Sequence, residues 1–287
     1  MLVIWLDEAA CQDATLSGRK AANLSRLAGR HPVPRGFCLT TEAHALWVTQ
    51  SDPGGLPVEI HEPLARAYVS LAQQSGSSPL RVAVRSSAIG EDGQEASFAG
   101  QYTTYLNVSG LDEVADAVTR CWASAQTERV RAYREHRGPA DPSQGMAVLV
   151  QELVPADVAF VAFSAHPVTG DPAEVVINAN WGLGESIMDG AVVPDTYIVR
   201  KFDWSLTTRT IAEKQRMTVA RSAGAEEIVT PRMLRRQATL TAGQAQAIAQ
   251  LATQLESEFN WPVDIEGAYV ADASYLLQCR PISCRIS

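Results

Sequence analysis

Three stretches of the sequence hold cations or oxygen ligands in patterns suited to a polyphosphate. The first is VAVRSSAIGEDGQEASFAGQY, residues 82–102, where alternating valines run into Arg85 and then into serines, glycines and three acids. If Val82 to Arg85 form a strand, Arg85 points away from Val84, toward the face shared with Ala83, where a guanidinium needs an anion. Ser86, Ser87, Gly90, Gly93, Ser97 and Gly100 let a backbone approach a ligand closely and offer N–H donors. Glu91, Asp92 and Glu95 keep such a loop soluble when it is open. An ordinary surface ion pair is the other reading of a strand-end arginine. The second stretch is SGRKAANL, which sets Lys20 in the first turn of an expected helix. The macrodipole disfavours a cation there unless an anion is shared between the ammonium and the helix N-terminus. A solvated lysine in that turn costs only roughly a few tenths of a kcal/mol, so a surface role also fits.

The third stretch is the pair VDIEGAYV and YLLQCRP near the end of the chain. Asp264 and Glu266 alternate with Val263 and Ile265, and Gln278 and Arg280 alternate with Leu277 and Cys279. In a hairpin with an odd number of unpaired residues, such as Ala271 to Ala273, Glu266 opposes Gln278 and Asp264 opposes Arg280. An even turn sends the pairs to opposite faces, so a shared site predicts an odd loop or a bulge. A carboxylate beside a carboxamide oxygen suits Mg²⁺, which takes oxygen ligands and completes its shell with phosphates and water. Arg280 beside them would take a phosphate in a planar fork. A polar outer face on an edge hairpin is the alternative.

The elements that must position these residues are legible from periodicity. Leu16, Lys20, Leu24 and Leu27 are spaced as one helix face, as are Leu111, Val114, Val118, Trp122 and Ala125. After residue 145, MAVLVQELV, VAFVAFSAH, AEVVINAN and DTYIVR are apolar runs of strand length. Thr241 with Gln244 forms a capping box, and Ile248, Leu251, Leu255 and Phe259 continue a helix to the Asn260-Trp261-Pro262 stop. Polar breaks fall at 51–55, 73–79 and 137–145. The third divides the chain into two expected lobes, 1–140 and 141–287. The mixture predicts an α+β fold with its best site in the crevice between lobes.

Bulk properties narrow the function classes. The 287 residues, 46% of them hydrophobic, exceed the usual size of one core. A net charge of -8 argues against nucleic acid, since displacing counterions from phosphates needs a basic face. Five cysteines without a C-x-x-C suggest neither a disulfide framework nor a zinc site. MLVIWLDEAACQD has a short apolar run broken by acids, without the basic head and long apolar body expected of a signal peptide, and no later run is long enough to span a bilayer. The expectation is a cytoplasmic protein with no membrane partner.

SGRKAANL with PVPRGF, the 82–108 stretch, FSAHPVTG, WGLGES, and VDIEG with LLQCRPI occur in one order. In that order they resemble the N-terminal ATP-binding region of pyruvate phosphate dikinase, phosphoenolpyruvate synthase and rifampicin phosphotransferase. The resemblance implies an ATP-grasp-like fold of two subdomains with ATP in the cleft between them. Lys20, Arg85 and Arg280 look like the phosphate cations, and Glu266 with Gln278 like the Mg²⁺ ligands. Gln151-Glu152-Leu153-Val154 looks like the adenine-side hinge, whose backbone would read the base edge. Gly100 and Gln101 look like part of a loop closing over the nucleotide. Glu185, after the Trp181-Gly182-Leu183-Gly184 turn, is a further site candidate.

In that family the acceptor is a partner histidine and AMP is a product, so a phosphohistidine carrier in trans, or an unknown small-molecule acceptor, is implied. Two readings from other classes stand beside the phosphotransferase: a nucleotide-binding subunit without chemistry, and an ATP-grasp ligase activating a carboxylate. The usual Gly-Gly-Lys-Gly is Gly18-Arg19-Lys20-Ala21 here, implying a looser backbone approach. His166 stands where an acid or amide is common, which raises a carrier role beside a structural one. With no histidine after residue 166, a carrier segment is not expected within the chain.

Overall fold

The computed structural model describes residues 1–49, 55–90, 103–124, 145–188, 190, 192–222 and 224–282. Two compact units divide the chain, Met1–Leu153 with Ser222–Gly224, and Val154–Arg221 with Ala225–Ser287.

The first unit is built on an antiparallel sheet of order β1-β2-β5-β3-β4. Its strands are β1 (Val3–Trp5), β2 (Gly36–Leu39), β3 (Val82–Ala88), β4 (Thr104–Val108) and β5 (Met146–Glu152). Its helices are α1 (Ala14–Leu27), α2 (Thr41–Thr49), α3 (Val58–Ser75) and α4 (Leu111–Ser124). Period-2 alternation sends Val82 and Val84 of β3, with Met146, Val148 and Val150 of β5, into one core. There they meet Ile60, Leu64 and Leu71 of α3 and Val114, Val118 and Trp122 of α4. The apolar stripe expected on α4 is thus buried, and Trp122 Nε1 donates to the Met146 carbonyl at 2.9 Å. Ala125, the last residue assigned to that stripe, lies outside the described residues. β5 sits between β2 and β3, so strand pairing carries the first unit to Leu153, past the polar break that had suggested a boundary at 140. A boundary follows hydrogen-bonded partners, and those are remote in sequence.

The second unit holds an antiparallel sheet of order β13-β12-β6-β7-β8-β9. The apolar runs expected as strands supply β6 (Val158–Phe163), β7 (Glu174–Trp181) and β8 (Asp195–Arg200). β9 (Leu206–Thr210) forms one edge and the hairpin β12 (Val263–Val270) and β13 (Ala273–Pro281) the other. A short helix α5 (Glu185–Met188) follows β7, and β10 (Arg216–Ala220) with β11 (Ala225–Val229) makes a separate two-stranded ribbon. Helix α6 (Ala242–Phe259) starts at the expected capping box, Gln244 N to Thr241 Oγ1 at 3.2 Å and Thr241 N to Gln244 Oε1 at 2.9 Å. It ends at Asn260 in the left-handed region, φ 58.

Across the sheet, Ile265, Ala162, Ile177 and Tyr197 form a register row that is fully buried. The adjacent row, Glu266, Val161, Asn178 and Thr196, points to the opposite face and is more accessible. α6 packs on the sheet with Ala245, Ile248, Ala249, Ala252 and Leu255 turned inward. No helix among the described residues is long and apolar enough to cross a membrane. Cys11, Cys38, Cys121 and Cys279 are free and buried, and Cys284 lies outside the described residues.

Candidate functional site

In the first unit, Lys20 and Arg85 are brought to the same side of the sheet. Ala83 is outside the core built by Val82 and Val84, and Ser87 turns its hydroxyl to accept from the Ala21 N–H at 3.1 Å. Arg85 lies between them in alternation, so its side chain shares the α1 face, as expected from the sequence. α1 is not one continuous helix: it breaks at Gly18, φ 72 and ψ 164, and restarts with Arg19 and Lys20 in its first turn. Ser87 therefore caps a renewed helix N-terminus. Lys20 is buried, and its Nζ donates to the carbonyl of Ser86, the residue after Arg85, at 3.1 Å.

The departure from the usual glycine motif has a local explanation. A Cβ on Gly18 would stand 2.0 Å from the Ser87 carbonyl oxygen, so Gly18 is the glycine the close approach requires. Arg19 points outward and its Nε donates to the Ile89 carbonyl at 3.1 Å, tying α1 to the chain that leaves β3. Gly100 and Gln101 lie outside the described residues.

In the second unit the hairpin meets the sequence condition through a bulge. The turn leaves Ala271 and Asp272 unpaired, an even number, and the register shifts between Glu266 and Gly267. Leu277 is the extra residue, so Glu266 opposes Gln278 and Asp264 opposes Arg280. Gly267 makes room: a Cβ there would meet Phe160 Cζ at 2.2 Å and the Tyr275 carbonyl oxygen at 2.7 Å. Arg280 Nε donates to Asp264 Oδ2 at 2.8 Å, which orients the guanidinium beside Gln278. The sequence reading had placed Asp264 opposite Arg280 without giving it a part in the site.

The turn before Glu185 reaches the same face. A Cβ on Gly184 would lie 3.5 Å from Ala159 Cβ, and Ala159 is two residues from Val161, the β6 partner of Glu266. Gly182, φ 79, sits against the Thr218 carbonyl, where a Cβ would come within 2.1 Å, and Leu183 N donates to that carbonyl at 2.8 Å.

The hinge candidates straddle the division between units. Gln151 is buried and its Nε2 donates to the Pro34 carbonyl at 3.0 Å. The Glu152 and Leu153 N–H groups are taken by the Arg35 and Arg81 carbonyls, each at 2.9 Å. Val154 opens the second unit. His166 closes its own turn, its Nδ1 accepting from Val168 N and Thr169 N at 3.2 Å each. That accounts for a side chain with acceptor capacity at this position, and it is the structural reading of His166.

Among the described residues no group of three or more His, Cys, Asp or Glu could hold a metal ion. The register sets the Glu266 carboxylate opposite the Gln278 carboxamide, oxygen-ligand types that suit a cation keeping water and substrate oxygens in its shell.

Comparison with known proteins matches residues 52–286 to the pyruvate phosphate dikinase AMP/ATP-binding domain. The chain belongs to that family. It is 33% identical to a probable phosphoenolpyruvate synthase of Pyrococcus abyssi over 97% of this chain and 43% of that protein. It is 37% identical to the prodigiosin synthesizing transferase PigC of Serratia marcescens over 93% of this chain and 33% of that protein. It is 35% identical to the rifampicin phosphotransferase of Streptomyces sviceus over 95% of this chain and 34% of that protein. The chain therefore spans less than half the length of these relatives. Within this dikinase-type ATP-binding domain, the matched span includes Arg85, Glu266, Gln278 and Arg280, and Lys20 precedes it. Sequence reasoning missed three roles: Ser87 as a cap on the Ala21 N–H, Asp264 as the group that orients Arg280, and the pairing of Asp195 with Lys214. No spacing rule links Ser87 to Ala21 or Asp195 to Lys214, and the hairpin rule that pairs Asp264 with Arg280 does not give that pair a role.

Proposed function

We propose that this chain is a Mg-ATP-dependent phosphotransferase module with an ATP-grasp-like fold. The observation that carries the reading is the bulged register of β12 and β13, which sets a carboxylate and a carboxamide side by side with an oriented guanidinium next to them. A regular two-residue hairpin would have turned Gln278 away from Glu266.

Glu266 and Gln278 would hold Mg²⁺, which would supply charge neutralisation at the phosphates. Lys20, Arg85 and Arg280 are the proposed catalytic cations, stabilising charge on the transferring oxygens as the acceptor's nucleophile bonds to phosphorus and the P–O bond to the nucleotide breaks. Glu185 and the Gln151–Val154 segment complete the nucleotide's surroundings. Because the Glu152 and Leu153 N–H groups are engaged, the base edge falls to carbonyls of that segment or to Val154. Gly100 and Gln101 remain proposed loop contacts. The acceptor is a histidine on a separate carrier, or a small molecule, consistent with relatives named as phosphoenolpyruvate synthase and rifampicin phosphotransferase.

Titration calorimetry with ATP, with and without Mg²⁺, tests the reading. A charged hydrogen bond contributes about 1.5–3 kcal/mol, so Arg85→Ala should weaken binding roughly 10- to 150-fold. Glu266→Ala should abolish the Mg²⁺ dependence. Near-normal binding by both variants sinks the proposal. Supplying candidate carriers and following AMP or ADP formation separates a phosphotransferase from a binding subunit.

A further inference from the structure

The second unit contains a fully buried ion pair that no proposed step uses. Asp195 is the first residue of β8 and Lys214 lies in the unpaired stretch before β10, and both side chains are completely inaccessible. Lys214 Nζ meets Asp195 Oδ1 at 2.6 Å and also donates to the Ala212 carbonyl at 3.1 Å. The same Oδ1 accepts from Ala212 N at 2.9 Å. Oδ2 accepts from the Thr239 N–H and hydroxyl at 2.9 Å each, and the Tyr197 hydroxyl stands 3.4 Å away. Tyr197 in turn accepts from Leu240 N at 3.0 Å. Stability alone does not call for such a pair, since well-packed apolar replacements for buried ion pairs are often neutral or stabilising.

Its bonds run to chain that has no ladder of its own. Residues 211–215 and 230–241 belong to no strand or helix, and the carboxylate pins both to the start of β8. The two stretches are stitched together by Lys214 N to the Arg235 carbonyl and Thr230 N to the Gln215 carbonyl, both at 2.9 Å. From the 230–241 stretch and from β10, in turn, the end of β7 and the glycine turn after it are held. Trp181 Nε1 donates to the Leu234 carbonyl at 2.9 Å, Asn180 Nδ2 to the Arg216 carbonyl at 3.2 Å, and Leu183 N to the Thr218 carbonyl at 2.8 Å. That turn comes against Ala159, on the sheet face that carries Glu266, and leads directly into Glu185.

From this chain of contacts we infer that Asp195 and Lys214 are positioning residues for the nucleotide site, acting through the 230–241 stretch and β10 to set the Trp181–Glu185 turn. The inference rests on the nucleotide reading above, and it assigns the turn a place in that site which depends on a remote ionic node. A carboxylate suits the task because its two oxygens accept several donors at fixed angles, whereas apolar packing would let unladdered chain slide.

The test uses the full chain and Mg-ATP. Calorimetric affinity and thermal melting are measured for the unmodified protein, Lys214→Met, Glu185→Gln, their double variant, and Glu266→Ala. Lys214→Met should lower the melting temperature and, measured well below it, weaken Mg-ATP binding about tenfold or more, as loss of a supporting residue typically does. Glu185→Gln should weaken binding with little effect on melting. In the double variant, Glu185→Gln should add almost nothing to the loss in affinity, because the turn it sits on is already displaced. A purely structural pair would lower melting and leave affinity unchanged, and independent sites would give multiplying losses; either result overturns the inference. Should Lys214→Met not fold, Tyr197→Phe removes one hydroxyl from the same node and is read in the same cycle. Binding by the unmodified chain that Glu266→Ala weakens, with no coupling between Lys214 and Glu185, removes this inference alone. Absence of Mg-ATP binding removes the nucleotide reading and this inference together.

Discussion

Replacing Gly18 by alanine is the most direct probe of how Lys20 is placed. Two costs follow from the geometry. Gly18 has φ 72 and ψ 164, a combination essentially confined to glycine that costs another residue on the order of 1–3 kcal/mol. The new Cβ would also lie 2.0 Å from the Ser87 carbonyl oxygen and 2.4 Å from its carbon, a backbone obstacle that no rotamer change relieves. Overpacking of this kind adds roughly 1–3 kcal/mol. The total, about 2–6 kcal/mol, is a large share of a domain's usual stability of roughly 5–15 kcal/mol. At roughly 2–4 °C per kcal/mol for a unit of this size, melting should fall by about 4–24 °C. α1 would have to move off β3, taking Lys20 Nζ away from the Ser86 carbonyl, so Mg-ATP affinity should fall as well. Gly243→Ala is the control, because a Cβ there meets nothing within 4 Å and an alanine in a helix gains up to about 1 kcal/mol. Differential scanning calorimetry of both variants reads the effect. A Gly18→Ala protein melting within about 1 °C of the unmodified one would refute the contact argument.

Two further outcomes follow. Gly267→Val drives a side chain into Phe160 and the Tyr275 carbonyl, so it should undo the bulge and lower the Mg²⁺ dependence of ATP binding while Arg85 still contributes; retention of full Mg²⁺ dependence would count against the bulge as the device that aligns Glu266 with Gln278. Burial pushes the Cys11 thiol up to about 11 from 9.0, a difference of roughly 3 kcal/mol between its two forms. Because the folded value is the higher one, this stabilisation is complete below about pH 9 and is lost as the pH climbs toward 11. Chemical denaturation of Cys11→Ala and the unmodified chain should therefore show a stability gap that narrows over that window, and a constant gap would contradict the burial argument.

How far the site could be read in advance depended on the range of the interactions involved. Alternation in Val82 to Arg85 was enough to put Arg85 opposite Val84, and the α1 face is where it lies. Lys20 in a first helical turn was also legible, although the break at Gly18 that creates this turn was not, since it answers to the Ser87 carbonyl of another element. The hairpin gave a conditional expectation: an odd loop or a bulge. Counting residues could not choose between them, because the Phe160 ring that leaves room only for glycine at 267 comes from a strand about a hundred residues earlier. β5 was read as a strand but grouped with the wrong neighbours, since its partners β2 and β3 are fixed by packing and not by proximity along the chain.

By itself the sequence settled whatever local chemistry controls: the capping box at Thr241, the left-handed stop at Asn260, the alternating strands, and the motif order that marks the family. Tertiary structure alone decided which remote groups share a face or a bond. Asp264 with Arg280 was foreseeable only once a register was assumed, and Asp195 with Lys214 was not foreseeable at all. The reason is physical: helix and strand periodicity arise from steric and hydrogen-bonding rules acting over a few residues, whereas register and buried ion pairs are set by the packing of segments that meet only after the chain has folded.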